Sequence, residues 1–261
     1  MEKAIHADGM HWNNIKQDAI KLVKMCKQCM RYNITRKGYH PLKSITADKP
    51  GDHWAIDLAG PFENSHRGNH YLMVMVDICT KFVILKAIPD KTSLTIAEEL
   101  INVFCDFGFP RILQSDNGTE FVNSLVKDVY KVSGIDHRLI SPYHPRANGA
   151  AERTVQTAVH TLQKSMNGMA RDWDVYVKAA QLAINKKIVR LHNSAPFELM
   201  FARRLNEFAD YTDTRTAAHK PNAIIKRKNM IKDMAEIVLP AIAKRTNEVR
   251  EAAQASFDKK K

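Results

Sequence analysis

Trp54-Ala-Ile-Asp57-Leu-Ala-Gly-Pro61, Tyr71-Leu-Met-Val-Met-Val76 and Lys81-Phe-Val-Ile-Leu-Lys-Ala-Ile88 are three short apolar runs in close succession. Each has the length and the branched, aromatic character of a strand. Gly60-Pro61 stops the first, which starts at His53, and Asp77 to Thr80 turns the second into the third, so together they predict an antiparallel meander. Thr92 to Phe107 changes period: Ile96, Leu100, Ile101 and Phe104 fall at helical spacing between a Thr/Ser start and a stop at Gly108 and Pro110. Arg111 to Ser115 reads as a fourth strand, Thr119 to Ser133 as a helix closed by Gly134, and His137 to Ile140 as a fifth strand. Helices follow at Ala150 to Met166 and Asp172 to Val189, and a short one opens at Ser194-Ala-Pro-Phe197 with proline early in its first turn. This order predicts an α/β fold, a mixed five-stranded sheet flanked by helices.

Outside that block the chain changes character. Residues 1–45 are basic and helix-compatible, with Ile15, Ala19, Leu22 and Val23 at helical spacing, and Lys37 to Pro41 breaks the pattern as a linker. Residues 46–205 hold the sheet and its helices. Residues 206–261 form a basic helical tail that Pro240 is expected to interrupt. Within the central block, Ser141 to Gly149 contains Pro142, Pro145 and Gly149 and is expected to be a loop.

A formal charge of +12 on 261 residues argues for a polyanionic partner, with nucleic acid the default, because each neutralised phosphate releases counterions whatever the base sequence. Four cysteines in a chain of this length are not a disulfide framework. The start lacks the apolar centre of a secretory signal, and the run Tyr71 to Val76 is far too short to span a bilayer. An intracellular, reducing compartment and no membrane association are expected.

Three carboxylates occupy distinctive contexts. Asp57 and Asp116 each end a strand-like run, Glu152 stands near the start of a helix-like run, and 35 residues separate the second from the third. In a sheet of this order the first and fourth strands are neighbours, which would set Asp57 beside Asp116. Two carboxylates that close resist joint ionisation unless a cation neutralises them. Such a trio suits two Mg²⁺ or Mn²⁺ ions in phosphoryl transfer. Glu152 alone could equally serve the helix dipole. Asn148, Glu152 and Gln156 fall one turn apart on one helix face. Asp77, Glu120 and Asp136 read as structural, in a turn, a first helical turn and a strand start. No Ser, Tyr or Cys is paired with an evident base, so a covalent nucleophile is not indicated.

Four blocks carry a resemblance: Trp54 to Pro61; Val76-Asp-Ile-Cys-Thr-Lys-Phe82; Gly108-Phe-Pro-Arg-Ile-Leu-Gln-Ser-Asp116-Asn-Gly-Thr-Glu-Phe121; and Ser141-Pro-Tyr-His-Pro-Arg-Ala-Asn-Gly149-Ala-Ala-Glu152-Arg. In this order they resemble the integrases of retroviruses and gypsy-type long-terminal-repeat retrotransposons, over roughly residues 10–205. The resemblance implies a ribonuclease-H-like fold and a catalytic, metal-binding set of Asp57, Asp116 and Glu152. It implies metal-assisted hydrolysis at the ends of linear DNA and then strand transfer to target DNA, in a nuclear homo-oligomer. Tyr143, His144, Arg146, Asn148, Arg153 and Gln156 are the candidate DNA contacts, by stacking and phosphate pairing.

Cys26-Lys-Gln-Cys29, with His6 upstream, resembles the family's zinc-binding region, in which two thiolates and two imidazoles make a tetrahedral site. The family's histidine pair would align before this chain begins, so Cys26, Cys29 and His6 are an incomplete set. The family's carboxyl-terminal β-barrel also has no counterpart in the sequence. An alternative is therefore a fragmentary or domesticated integrase that binds DNA without integrating it. A nuclease or ribonuclease H shares the fold and metals but lacks the block from Tyr143 to Glu152.

Overall fold

The computed structural model describes residues 9, 11–26, 47–140, 145–166, 168–206 and 223–258. The chain divides into two compact units, Met1–Leu42 and Lys43–Lys261. In the first, helix α1 (Ile15–Met25) covers the expected helical stretch, and Trp12 Nε1 donates to Asp18 Oδ2 at 3.0 Å across its first turn.

The second unit is built on a five-stranded sheet in the order β3-β2-β1-β4-β5, from β1 (His53–Ala59), β2 (Tyr71–Asp77), β3 (Val83–Ile88), β4 (Ile112–Ser115) and β5 (Asp136–Leu139). β1, β2 and β3 pair antiparallel, with only a short turn between β2 and β3, while β4 joins β1 and β5 joins β4 in parallel. The parallel joins need crossovers, and helices supply them. α2 (Ser93–Phe107) connects β3 to β4, and α3 (Thr119–Val122) with α4 (Ser124–Val132) connects β4 to β5.

Alternation along the strands sends side chains into two cores. Trp54, Ile56, Met73, Met75, Ile84 and Leu113 face α2 and α4, where Ile96, Leu100, Phe104, Val126 and Tyr130 meet them. Ala55, Leu72, Val74, Val76, Val83 and Leu85 face the opposite layer of α5 (Pro145–Ser165), a 3₁₀ segment (Ala170–Tyr176) and α6 (Val177–Lys186), through Ala158, Leu162, Trp173, Val177 and Ala180. Each large apolar side chain buried here contributes about 1.5–3 kcal/mol. α7 (Pro196–Phe201) adds Phe197 and Phe201 to the first core, with Pro196 in its first turn as expected.

The turn from β2 to β3 is held by one buried carboxylate. Asp77 Oδ2 accepts from Thr80 N (2.7 Å) and Thr80 Oγ1 (2.6 Å), and Oδ1 accepts from Gly51 N (3.1 Å). Asp77 is thus structural, as read from the sequence. The free edge of β3 is sealed by side chains on α6. Asn185 accepts from Val83 N (2.8 Å) and donates to Val83 O (2.7 Å), Gln181 accepts from Leu85 N (2.9 Å), and Lys178 donates to Leu85 O (3.0 Å). At spacings of three and four residues these side chains line one helix face and stand in for a sixth strand.

Four local expectations change. The helix expected over Thr119 to Ser133 breaks at Asn123, which is extended and whose Oδ1 accepts from Val126 N at 2.9 Å; asparagine caps a helix more readily than it continues one. The segment from Asp172 to Val189 is a 3₁₀ turn followed by α6, ending at Lys186. The Ser141–Gly149 loop is helical from Pro145 onward, because proline at the first helical position needs no hydrogen-bond partner for its missing N–H. Pro240 does not end the tail helix. α8 (Ala223–Asp233) passes through a π-helical turn (Met234–Val238) into α9 (Leu239–Asp258), so the helix widens one turn before the proline ring and the lost bond is absorbed.

Candidate active site

The parallel pairing of β1 with β4 runs His53 to Ile112, Trp54 to Leu113 and Ala55 to Gln114. Continued two residues, that register sets Asp57 level with Asp116, the first residue beyond β4. Both lie at the carboxyl ends of adjacent parallel strands, where open α/β sheets place their ligands. The expectation that the first and fourth strands are neighbours therefore holds. Asp57 alternates with Ala55 and Ala59, whose side chains belong to the core beneath α5, so its carboxylate points to the layer that carries Glu152.

Glu152 is exposed on α5, seven residues after Pro145. That places it beyond the first turn, where the helix dipole no longer explains it. Ala158 and Leu162 further along α5 anchor the helix to the sheet.

Asp57 is half-buried, and Leu58 N donates to its Oδ1 at 2.8 Å. Burial pushes its pKa up to about 6; the Leu58 amide pulls against that, and the negative charges of Asp116, Glu152 and Glu120 push further up. Asp116 is exposed and its Oδ1 accepts from Gly118 N at 3.0 Å. Gly118 lies between two acids: a Cβ there would stand 2.8 Å from the Glu120 carboxyl carbon and 3.0 Å from Asp116 Oδ1. Glu120 thus belongs to the same charge cluster. Sequence reading assigned it to the helix dipole, and it does open α3. The signal that could have found it is the glycine between Asp116 and Glu120, the residue that lets two carboxylates share one turn.

The donor set fits a hard divalent cation: carboxylate oxygens, gathered at one end of the sheet, whose mutual repulsion is felt at Asp57. The cage is not closed. Among the described residues, no three His, Cys, Asp or Glu side chains stand close enough to share one ion. Elements and charge bring Asp57, Asp116 and Glu152 together, but not to ligation distance.

The other predicted residues separate. Tyr143 and His144 lie outside the described residues, and for Arg146 and Asn148 only the helical backbone of α5 is described. Gln156 is exposed one turn beyond Glu152. Arg153 lines a different groove, with Lys81 and Arg250. Cys26 follows α1 and is half-buried, while His6 and Cys29 lie outside the described residues. No described helix is long and apolar enough to cross a membrane.

Comparison with known proteins agrees with this fold. Residues 47–145 match the integrase core domain family. The chain is 31% identical over 192 residues to the Pro-Pol polyprotein of simian foamy virus type 3, covering 73% of this chain and 16% of that protein. It is 26% identical over 201 residues to mouse gypsy retrotransposon integrase-like protein 1, covering 75% of this chain and 38% of that one. The chain therefore spans well under half the length of these relatives. In fold it is similar to a chain of the simian T-cell lymphotropic virus intasome in complex with PP2A regulatory subunit B56 gamma, with a TM-score of 0.59 at 20% identity, covering 83% of this chain and 76% of that one. By this match residues 47–145 form an integrase core domain, on a ribonuclease-H-like sheet with helices on both faces, similar to that of retroviral and gypsy-type retrotransposon proteins.

Proposed function

We propose that the chain is a metal-dependent polynucleotidyl transferase that trims the 3′ ends of a linear DNA and joins them to target DNA. The observation that carries this reading is the alignment of Asp57 with Asp116 on parallel neighbours β1 and β4, with the charge of Glu152 acting on Asp57 from α5. Asp57, Asp116 and Glu152 would hold Mg²⁺ or Mn²⁺, and bound ions of this kind stabilise the attacking and leaving oxygens of a phosphodiester exchange.

The protein's own groups set the stage for this. The Leu58 amide fixes one oxygen of Asp57, and the Gly118 amide fixes one of Asp116, which leaves each carboxylate its second oxygen. Glu120 adds negative charge that favours cation capture. In the joining step the DNA 3′ oxygen forms a new bond to target phosphorus, and the target's bridging oxygen leaves on the other side. Tyr143, His144, Arg146, Asn148 and Gln156 would position the DNA around that centre, and Arg153 would meet it from the neighbouring groove. Simultaneous joining of two ends requires more than one copy, so a homo-oligomer working in the nucleus belongs to the same reading. A zinc site on His6, Cys26 and Cys29 would be completed by a ligand from elsewhere.

A strand-transfer assay with short duplex DNA and Mn²⁺ tests the proposal. The chain is expected to nick and join, and Asp116→Asn to lose at least about 100-fold, as loss of a group stabilising transition-state charge does. Absence of joining and nicking, or equal activity of Asp116→Asn, would refute it. Salt-dependent DNA binding without chemistry would point instead to a DNA-binding module.

A further inference from the structure

On the same unit, a groove of about 470 Å³ gathers charge of the opposite sign from three separate elements: Lys81 from the turn before β3, Arg153 from α5 and Arg250 from α9. Its walls are apolar, with Val83, Ile184 and Leu191 among them. Lys81 is held there by its backbone, at a positive φ of 64° that a residue with a side chain adopts only under local constraint. Its ammonium donates to the Ile78 carbonyl at 2.8 Å. Burial, and next the charge of Arg250, lower its pKa to about 8. Arg250 is half-buried, and Arg153 is exposed at the groove.

Such a cluster calls for an acid, and the described residues do not supply one at ion-pair distance from Lys81, Arg153 or Arg250. Asp77 acts on Lys81, but its oxygens already accept from Gly51 and Thr80. Asp48 and Arg250 line an adjoining cavity of about 60 Å³, where Asp48 stands exposed to water. Three cations drawn together between apolar walls repel one another, and an oxyanion between them would reverse the sign of the interaction.

We propose that this groove binds a phosphate group through Lys81, Arg153 and Arg250, and that the bound phosphate ties α9 to the core. The site deepens the DNA reading without depending on catalysis; it rests on that reading only for the source of the phosphate, which is either the backbone of bound DNA or a free phosphate. Glu152 and Arg153 are consecutive on α5, so a phosphate seated here would be registered against the carboxylate cluster by the helix itself.

Thermal melts of the full chain in inorganic phosphate, against chloride at equal ionic strength, test the site. The wild type is expected to gain about 2–4 °C at saturating phosphate. Arg250→Gln and Arg153→Gln are expected to lose that gain, while Arg250→Gln in chloride melts cooperatively at or above the wild-type temperature because repulsion is relieved. No phosphate-specific gain in the wild type, or an undiminished gain in both variants, would overturn the proposal. Short-duplex DNA binding followed against salt identifies the source. A slope of log affinity on log salt reduced by about one in Arg250→Gln assigns a DNA phosphate, and an unchanged slope with the phosphate response lost assigns free phosphate. Absence of DNA binding by every variant would sink the transferase reading while leaving the phosphate melts to decide the groove.

Discussion

Asp57 concentrates the chemistry of this chain in one side chain. Its carboxyl stays protonated in the fold up to about pH 6, whereas the unfolded chain ionises it near 3.8. Between those values the native state binds more protons, so stability falls as pH rises through the window, and the penalty persists above it. Asp57→Asn is therefore expected to raise the metal-free stability at pH 7.5 by about 1 kcal/mol, solvent screening of a half-buried group allowed for, and to remove the gain from added Mg²⁺; melting curves with and without Mg²⁺ check both. His53 and His192 act with the opposite sign. Burial lowers both to about 4 from 6.5, so protons taken up by the unfolded imidazoles are refused by the fold. Acidification from pH 7 to 5 is expected to cost about 1–2 kcal/mol for each, and His192→Gln to flatten the pH slope in chemical denaturation. Gly118→Ala, whose methyl would meet both Glu120 and Asp116, should impair Mn²⁺-dependent joining far more than stability. At this scale the placement of Asp57 beside Asp116 was legible in sequence, because strand order makes β1 and β4 neighbours. Glu120 was not, because its local context supports a dipole role and only the fold shows whose charge it adds to.

Elements show what periodicity can and cannot convey. Strands β1 to β3 and helix α2 followed from apolar spacing and turn residues, because one face of each is buried and the pattern has to show it. The start of α5 did not, since Pro142, Pro145 and Gly149 read as breakers and proline at the first helical position looks the same as proline in a loop. The π-helical turn before Pro240 was equally silent, being a backbone response rather than a residue preference. The seal on β3 was hidden too: Lys178, Gln181 and Asn185 read as the polar face of a helix, and only packing turns them toward a strand edge. Asn185→Ala would leave Val83 N–H and C=O without partners. A loss of about 2–3 kcal/mol in urea denaturation is expected, with a tendency to self-associate through the opened edge in sedimentation velocity.

The whole molecule separates its charge. A net charge of +12 would suit a uniformly basic surface, yet carboxylates gather at the ends of β1 and β4 while cations gather between β3, α5 and α9. Composition conveyed the sum but not this separation, which arises because α5 carries Glu152 toward one cluster and Arg153 toward the other. On the proposed reading, cations are captured at the first cluster, where phosphodiesters would react, and phosphate is met at the second. Calorimetric titration with Mn²⁺ of the wild type, Asp57→Asn, Asp116→Asn and Glu152→Gln examines that arrangement at its root. If the three carboxylates form one metal site, each variant loses Mn²⁺ affinity by about 10-fold or more while folding normally; if Glu152→Gln binds Mn²⁺ as tightly as the wild type, the site does not include α5 and the account is wrong.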